Sequence, residues 1–231
     1  PRRKNRMNIH EHPSPNFNAR PARAQADIVI LHYTGMHSAE AALHRMCDPA
    51  AEVSAHYMIN DNGTVFRLVA EENRAWHAGV SYWQGATNIN DRSIGIEIVN
   101  PGHDLGYRPF SDAQMLSLKI LLRNIIQRHG IVPARVVGHS DVAPARKKDP
   151  GELFDWKALA AAGLAIWPHS AADPVEPGAV AQTLYEIGYD PTVRVAEAVV
   201  AFQRRFLPQS VTGDADLDTR ALISAVAAIK S

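Results

Sequence analysis

The chain has 231 residues, 46% of them hydrophobic and 21% charged, with 24 basic and 24 acidic side chains. That composition is globular, and a formal net charge of zero gives no reason to expect nucleic acid as a partner. No apolar run approaches the ~20 residues that a membrane-spanning helix needs, and the single cysteine, Cys47, excludes an internal disulfide and any CxxC metal site.

Pro1 to Arg6 is basic with no apolar segment after it, so it does not read as a signal peptide. His10 to Pro21 is rich in Pro, Asn and His and reads as an extended surface arm with solvated His10 and His12. Residues 1–26 together form this N-terminal arm. Ile28-Val29-Ile30-Leu31 predicts a strand buried on both faces, with His32 at its end. Ser38 caps a helix to about Cys47, which Asp48-Pro49 stops; Cys47 reads as a small buried apolar residue of that helix.

Val53 to Asn60 reads as a strand carrying His56. Asp61-Asn62-Gly63 has the composition of a type I′ hairpin turn leading to a return strand from Thr64 to Val69. Arg74 to Gly79 with Tyr82-Trp83 is an aromatic, glycine-broken loop. Such a loop suits a ligand groove or a packed surface equally.

Ser93 to Asn100 alternates, with Ile94, Ile96 and Ile98 on one face and Gly95, Glu97 and Val99 on the other. Glu97 therefore sits on a partly apolar floor, where desolvation raises a carboxyl towards general-base range. Ser111 and Gln114 form a capping box that opens a helix to His129, closed by Gly130, with Leu116, Ile120, Leu121 and Ile125 as its buried stripe. His129 in the last turn suits the helix dipole and needs no functional reading.

Ile131-Val132 and Val136-Val137 lead as a short buried strand into a loop that holds His139, Asp141, Lys147, Lys148 and Asp149. A histidine at a strand's C-terminal end beside carboxylates and lysines suits a metal site or a solvated basic turn. Trp156 to Ile166 reads as an Ala-rich helix. Residues 169–178 form a proline-bearing linker. Beyond it come three helical patterns: Val180 to Ile187, Asp190-Pro191 through Phe206 with Val195, Val199 and Phe202 on one face, and Asp218 to Ile229. So small a unit is marginal alone and reads as an appended module.

The segments Ile30-Leu31-His32-Tyr33-Thr34, Ser54-Ala55-His56-Tyr57, Ala75-Trp76-His77-Ala78-Gly79, Ser93-Ile94-Gly95-Ile96-Glu97 and Gly138-His139-Ser140-Asp141 through Asp149-Pro150-Gly151 occur in one order. With that spacing, residues 27–168 resemble the zinc-dependent N-acetylmuramoyl-L-alanine amidases of the type-2 superfamily, related to the peptidoglycan recognition proteins. The resemblance implies a mixed central β-sheet flanked by helices, an α/β fold. It implies one zinc ion on His32, His139 and Asp149, catalysis by Glu97 and Lys147, and a peptidoglycan or muropeptide substrate. His56, Trp76, His77 and Asn88 are groove candidates, with packing as their competing role.

Residues 179–231 resemble the small three-helix peptidoglycan-binding domain fused to many wall hydrolases, through Leu184, Gly188-Tyr189, Val199 to Phe206 and Thr212-Gly213. A monomer is expected. A wall-binding segment favours the cell envelope, and the absence of a visible leader keeps the cytoplasm as the alternative. A recognition protein that does not cut and a zinc hydrolase of another acylated peptide are the competing functions. Both are separated from the amidase by the products released.

Overall fold

The computed structural model of the chain describes residues 8–170 and 172–230; Pro1 to Arg6 therefore lies outside the described residues. Six strands form one mixed sheet. They are β1 (Ile9–Glu11), β3 (Ile28–Tyr33), β4 (Tyr57–Ile59), β5 (Val65–Arg67), β9 (Ser93–Ile98) and β10 (Val136–Gly138), in the order β1-β5-β4-β9-β3-β10. Only β4 and β5 run antiparallel; the other neighbours are parallel. Two small ribbons complete the β structure: β2 (Phe17–Ala19) pairs with β6 (Asn73–Ala75), and β7 (Tyr82–Trp83) with β8 (Ala86–Thr87).

The alternation of β3 and β9 divides the core. Val29, Leu31, Ile94, Ile96 and Ile98 face α2 (Asp112–His129), which contributes Leu118, Leu121, Leu122 and Ile125. Each such side chain, fully buried, stabilises the fold by roughly 1.5–3 kcal/mol. The capping box fixes where α2 starts: Gln114 N–H donates to Ser111 Oγ, and Ser111 N–H donates to Gln114 Oε1. Gln114 is itself buried and donates to the carbonyl of Val99 at 2.7 Å. That contact rotates the helix from the expected stripe, so Leu116 is 62% exposed and Leu118 and Leu122 point inward. A third cluster packs α1 (Ala39–Cys47) against Met58, Leu68 and Val99; Cys47 sits at its margin, only half-buried.

On the other face, Ile28, Ile30, Val137 and Val142 lie in one cluster with Leu184 and Ile187 of α5 (Val180–Ile187). Val199 and Phe202 of α6 (Val195–Phe206) and Ile223 and Val226 of α7 (Leu217–Lys230) belong to the same cluster. The sequence reading sets residues 179–231 apart as an appended module; in the structure these helices are the layer that covers the sheet. Amphipathic periodicity shows that a helix has a buried face and leaves open what that face meets.

Several local expectations are corrected. The N-terminal arm is built into the β structure through β1 and β2, although His10 and His12 are exposed as expected. Pairing along a sheet edge uses backbone groups, which side-chain periodicity does not register. The strand bearing His56 begins only at Tyr57. In the hairpin turn only Gly63 has positive φ, so the turn is not type I′. Helix α4 (Trp156–Ala161) ends short of the expected Ile166, and α6 starts at Val195, not at Pro191; Val195 stays 44% exposed. His139 opens the short helix α3 (His139–Val142), where a loop was expected.

Candidate active site

Register across three parallel strands assembles the site. His32 of β3 pairs with Glu97 of β9, one residue before each strand ends. Gly138, the last residue of β10, pairs with Leu31, so His139 follows beside His32. Both histidines are buried at the carboxyl ends of parallel strands, the usual place for chemistry in such sheets. Asp149 reaches them from the loop after α3, tied by Ser140 N–H donating to its carbonyl at 2.9 Å.

Three donor atoms converge. His32 Nδ1 lies 2.9 Å from His139 Nδ1 and 2.9 Å from Asp149 Oδ2, and His139 Nδ1 lies 3.0 Å from that same oxygen. Tautomers decide what this triangle is. His139 Nε2 is 3.0 Å from the carbonyl oxygen of Ala78, which can only accept, so Nε2 carries the hydrogen, and in the neutral form of the ring the lone pair on Nδ1 would face Asp149. A lone pair facing a carboxylate oxygen is repulsive unless a cation lies between them. Two imidazole nitrogens and one carboxylate oxygen are zinc donors, and three protein donors with a free fourth position characterise catalytic zinc sites. Tetrahedral bonds of 2.0–2.2 Å put donors about 3.3–3.6 Å apart. The observed triangle needs only a few tenths of an ångström of expansion to match. His32, His139 and Asp149 thus form a grouping that could bind a metal.

The layer behind the donors is equally specific. His32 Nε2 is 3.0 Å from His77 Nδ1. The buried Asn90 side-chain oxygen accepts from the backbone N–H of both His77 and Ala78, at 3.2 and 2.8 Å. Gly95 makes room for the His77 ring, since a Cβ there would lie 2.5 Å from it. Such partners fix ligand tautomer and orientation. Asn90 and Gly95 escape a reading of the sequence because an ordinary buried amide and a strand glycine carry no local signal.

Burial, then the neighbouring His139, hold His32 down at about 4, which keeps it neutral. Burial would raise Asp149, but His139 and His32 outweigh it and hold the carboxyl well below the usual carboxylate range. Glu97 moves the other way: burial first, then the charge of Asp149, pushes it well above its ordinary value, against the opposing Lys147. Its Oε2 is buried with no hydrogen-bond partner among the described residues.

A cleft of about 400 Å³ opens over these groups, lined by Trp76, His77, Glu97, Arg146, Lys147 and Asp149, among others. Trp76 and His77, two of the four groove candidates, are among the residues lining it. His56 does not line the cleft: its Nδ1 accepts from Gly95 N–H at 3.0 Å, Nε2 lies 3.1 Å from the Asn73 carbonyl, and its ring packs behind His77. Asn88 is also outside it, on an exposed turn at φ 53°. Arg146, overlooked in the sequence, donates to the carbonyls of Ala78 and Val80 and pins the loop under His139.

Residues 22–152 match the model of the N-acetylmuramoyl-L-alanine amidase family. The chain belongs to this family. It is 35% identical to the N-acetylmuramoyl-L-alanine amidase AmiD of Escherichia coli K12, over 90% of this chain and 84% of AmiD. The 1,6-anhydro-N-acetylmuramyl-L-alanine amidase AmpD of the same organism is also 35% identical, over 62% of this chain and 86% of AmpD. The solved complex of E. coli AmiD with anhydro-N-acetylmuramic acid-L-Ala-D-γ-Glu-L-Lys matches with a TM-score of 0.78 at 34% identity, covering 90% of this chain and 91% of AmiD. AmpDh3 of Pseudomonas aeruginosa, in complex with an anhydromuramic pentapeptide, matches with a TM-score of 0.79 at 34% identity, covering 87% of this chain and 90% of that one. The amidase fold expected from the sequence is thus present. The enzyme hydrolyses the amide between N-acetylmuramic acid and L-alanine, and members of the family are zinc enzymes. No described helix of this amidase is long and apolar enough to cross a membrane.

Proposed function

We propose that the amidase holds one zinc ion through His32, His139 and Asp149 and uses Glu97 as its general base. The observation that carries this reading is the buried Oε2 of Glu97, without a partner among the described residues, on the wall of the cleft that the three donors share. An orphaned carboxyl oxygen costs stability, and a waiting proton-transfer partner accounts for its retention. A bound zinc supplies Lewis acidity, polarising the scissile carbonyl and lowering the pKa of water to around 7. Glu97, raised by burial, takes a proton from the attacking water and returns one to the departing amine of L-alanine. Lys147, on the same cleft, offers its ammonium to the charge that develops on the carbonyl oxygen. Trp76 and His77 line the approach of the muramoyl-peptide.

The substrate is peptidoglycan or a muropeptide released from it, and the cell envelope, where the polymer lies, is the location this reading favours over the cytoplasm. AmiD and AmpDh3, which match this chain along about nine-tenths of its length, are each solved with an anhydromuramoyl peptide. Helices α5 to α7, as residues 179–231, add affinity for wall polymer; resemblance to wall-binding modules supports this. A pocket between α5 and α6, lined by Tyr185, Asp190 and Pro191, is the surface to alter. Tyr185→Ala should lower retention on sacculi and leave hydrolysis of soluble muropeptides unchanged.

Product analysis tests the reaction. Digestion should release peptides with free L-alanine amino termini and create no new reducing sugar ends. New reducing ends without free L-alanine would overturn the proposal.

A further inference from the structure

Asp141 belongs to the His139-Ser140-Asp141 run, yet the proposed chemistry does not use it. It is 1% exposed and forms a buried network. Its Oδ2 accepts from Gly138 N–H at 2.8 Å, closing the corner where β10 turns into α3. Its Oδ1 accepts from the Tyr189 hydroxyl at 2.8 Å. Arg205 of α6 donates through Nη1 to Asp141 Oδ2 at 3.0 Å and through Nη2 to the carbonyl of Val136 at 3.2 Å. The guanidinium, 4% exposed, lies 4.2 Å from the centre of the Trp156 ring.

We propose that Arg205 and Tyr189 are positioning residues for the metal site, holding from the C-terminal helices the β10–α3 corner on which His139 sits. This rests on reading His139 as a metal ligand. The geometry separates positioning from mere docking of a helix. The two arms of the fork land on Val136, the first residue of β10, and on Asp141, two residues past His139, so they clasp the corner at both ends. The same corner is tied to the third donor, because Ser140 N–H donates to the Asp149 carbonyl. Movement of the corner would therefore shift His139 and Asp149 together.

A helix that needed only to cover the sheet would do better with an apolar residue. Burying a guanidinium and a carboxylate costs about as much as their pairing returns, and Arg205 Nε is left buried without a partner among the described residues. A planar fork that reaches two acceptors in fixed geometry is what arginine provides and lysine does not. The C-terminal segment thereby supplies an outer layer to the metal site.

The test compares Arg205→Met, Arg205→Lys and Tyr189→Phe with Val199→Ala. Val199 is buried on α6 in the same core and contributes no side-chain group to the Asp141 network. Zinc affinity is read by competition with a chelating dye, beside melting temperature. Outer-layer changes typically cost 10–100-fold in metal affinity. Arg205→Met and Arg205→Lys should weaken zinc binding by at least about tenfold. Tyr189→Phe keeps the ring and should lose a few-fold in the same direction. Val199→Ala should lower the melting temperature and leave zinc affinity unchanged. If Arg205→Met does not fold, Arg205→Lys and Tyr189→Phe carry the comparison. Wild-type zinc affinity in folded Arg205→Lys and Tyr189→Phe overturns the inference, as does an equal affinity loss in Val199→Ala. His139→Ala separates the two readings. If it binds zinc like the wild type, the ligand reading falls and this one with it. If it loses zinc while the Arg205 and Tyr189 variants keep it, only the present inference fails.

Discussion

His32 and Glu97 face the same side of the sheet as register partners across the parallel β3–β9 pair. A donor for a cation and a carboxyl whose Oε2 has no hydrogen-bond partner among the described residues are thereby set side by side by backbone pairing. Register slippage by one residue would send both to the opposite face, into the α2 core. Glu97→Gln keeps the shape and removes the base. Its kcat should fall by about 10²–10⁴, with zinc content unchanged. In metal-stripped protein at pH 7 its melting temperature should equal or exceed that of the wild type, because the glutamine carries no charge to bury. Near-normal turnover in the folded, zinc-loaded variant would remove Glu97 from the mechanism.

Asp149→Ala addresses the donor set. It deletes the oxygen that both His32 Nδ1 and His139 Nδ1 approach. The purified variant should hold well under one equivalent of zinc by elemental analysis, against about one for the wild type. Chelation of the wild type should abolish hydrolysis, and added zinc should restore it. A variant that keeps its metal would place the third donor elsewhere.

The glycine under His77 gives a sharper probe of the layer behind the metal. Gly95→Ala would set a methyl within 2.5–2.7 Å of three atoms of the His77 ring. Neither the strand nor the buried ring can yield cheaply, so stability should fall by about 1–3 kcal/mol. His77 would also be displaced from His32 Nε2. Calorimetry and a zinc titration on one preparation should report both losses. Unchanged zinc affinity would mean that His77 does not orient His32.

How far the site could be read from the chain depends on which forces placed each residue. His32, Glu97 and His139 sit at ends of strands whose isoleucine and valine runs are legible, but that they lie together depends on strand order and register, which the family resemblance implied and side-chain pattern does not give. His56 was a fair candidate on the same grounds, yet it serves to receive Gly95 N–H. A histidine's partner is a property of the fold, not of its neighbours in sequence. Asp141 shows the limit best: its partners Tyr189 and Arg205 lie 48 and 64 residues away, and no local pattern links them. Leu116 missed the core for a related reason, since the buried Gln114 set the rotation of α2.

Below about pH 4.5, acid should act on Glu71. Burial raises this carboxyl, but hydrogen bonds from Arg128, His129 and Tyr57 outweigh burial and bring it from 4.5 to about 2. A folded-state pKa below the unfolded one means that the unfolded chain binds more protons in between. The stabilisation is therefore complete above about pH 4.5 and is lost as pH falls towards 2. It amounts to about 3 kcal/mol at most, at 1.36 kcal/mol per pH unit, and less with salt because Arg128 is half exposed. Glu71→Gln should be less stable than the wild type at pH 6. Between pH 4.5 and 2 its melting temperature should fall less steeply. Parallel curves for the two proteins would assign the acid response to other groups.

The last prediction concerns the boundary that the proline-bearing linker draws near residue 168. Composition there reads as a border between independent units, and a chain ending at Pro168 would then be a working amidase. Packing gives the opposite expectation. Without α5 to α7, the apolar side chains of Ile28, Ile30, Trp83, Val137 and Val142 lose their cover. At roughly 1.5–3 kcal/mol for each fully buried side chain, the loss rivals the 5–15 kcal/mol by which whole domains are stable. Asp141 would also be left with a charge and no Arg205 beneath a proposed ligand. Truncation after residue 168 should therefore yield protein that aggregates, or that melts far below the full chain and fails to retain zinc. Solubility, a melting curve and metal content on the truncated chain decide the matter. A soluble, zinc-loaded fragment with full turnover on soluble muropeptides would show that the sheet can do without its second helical layer.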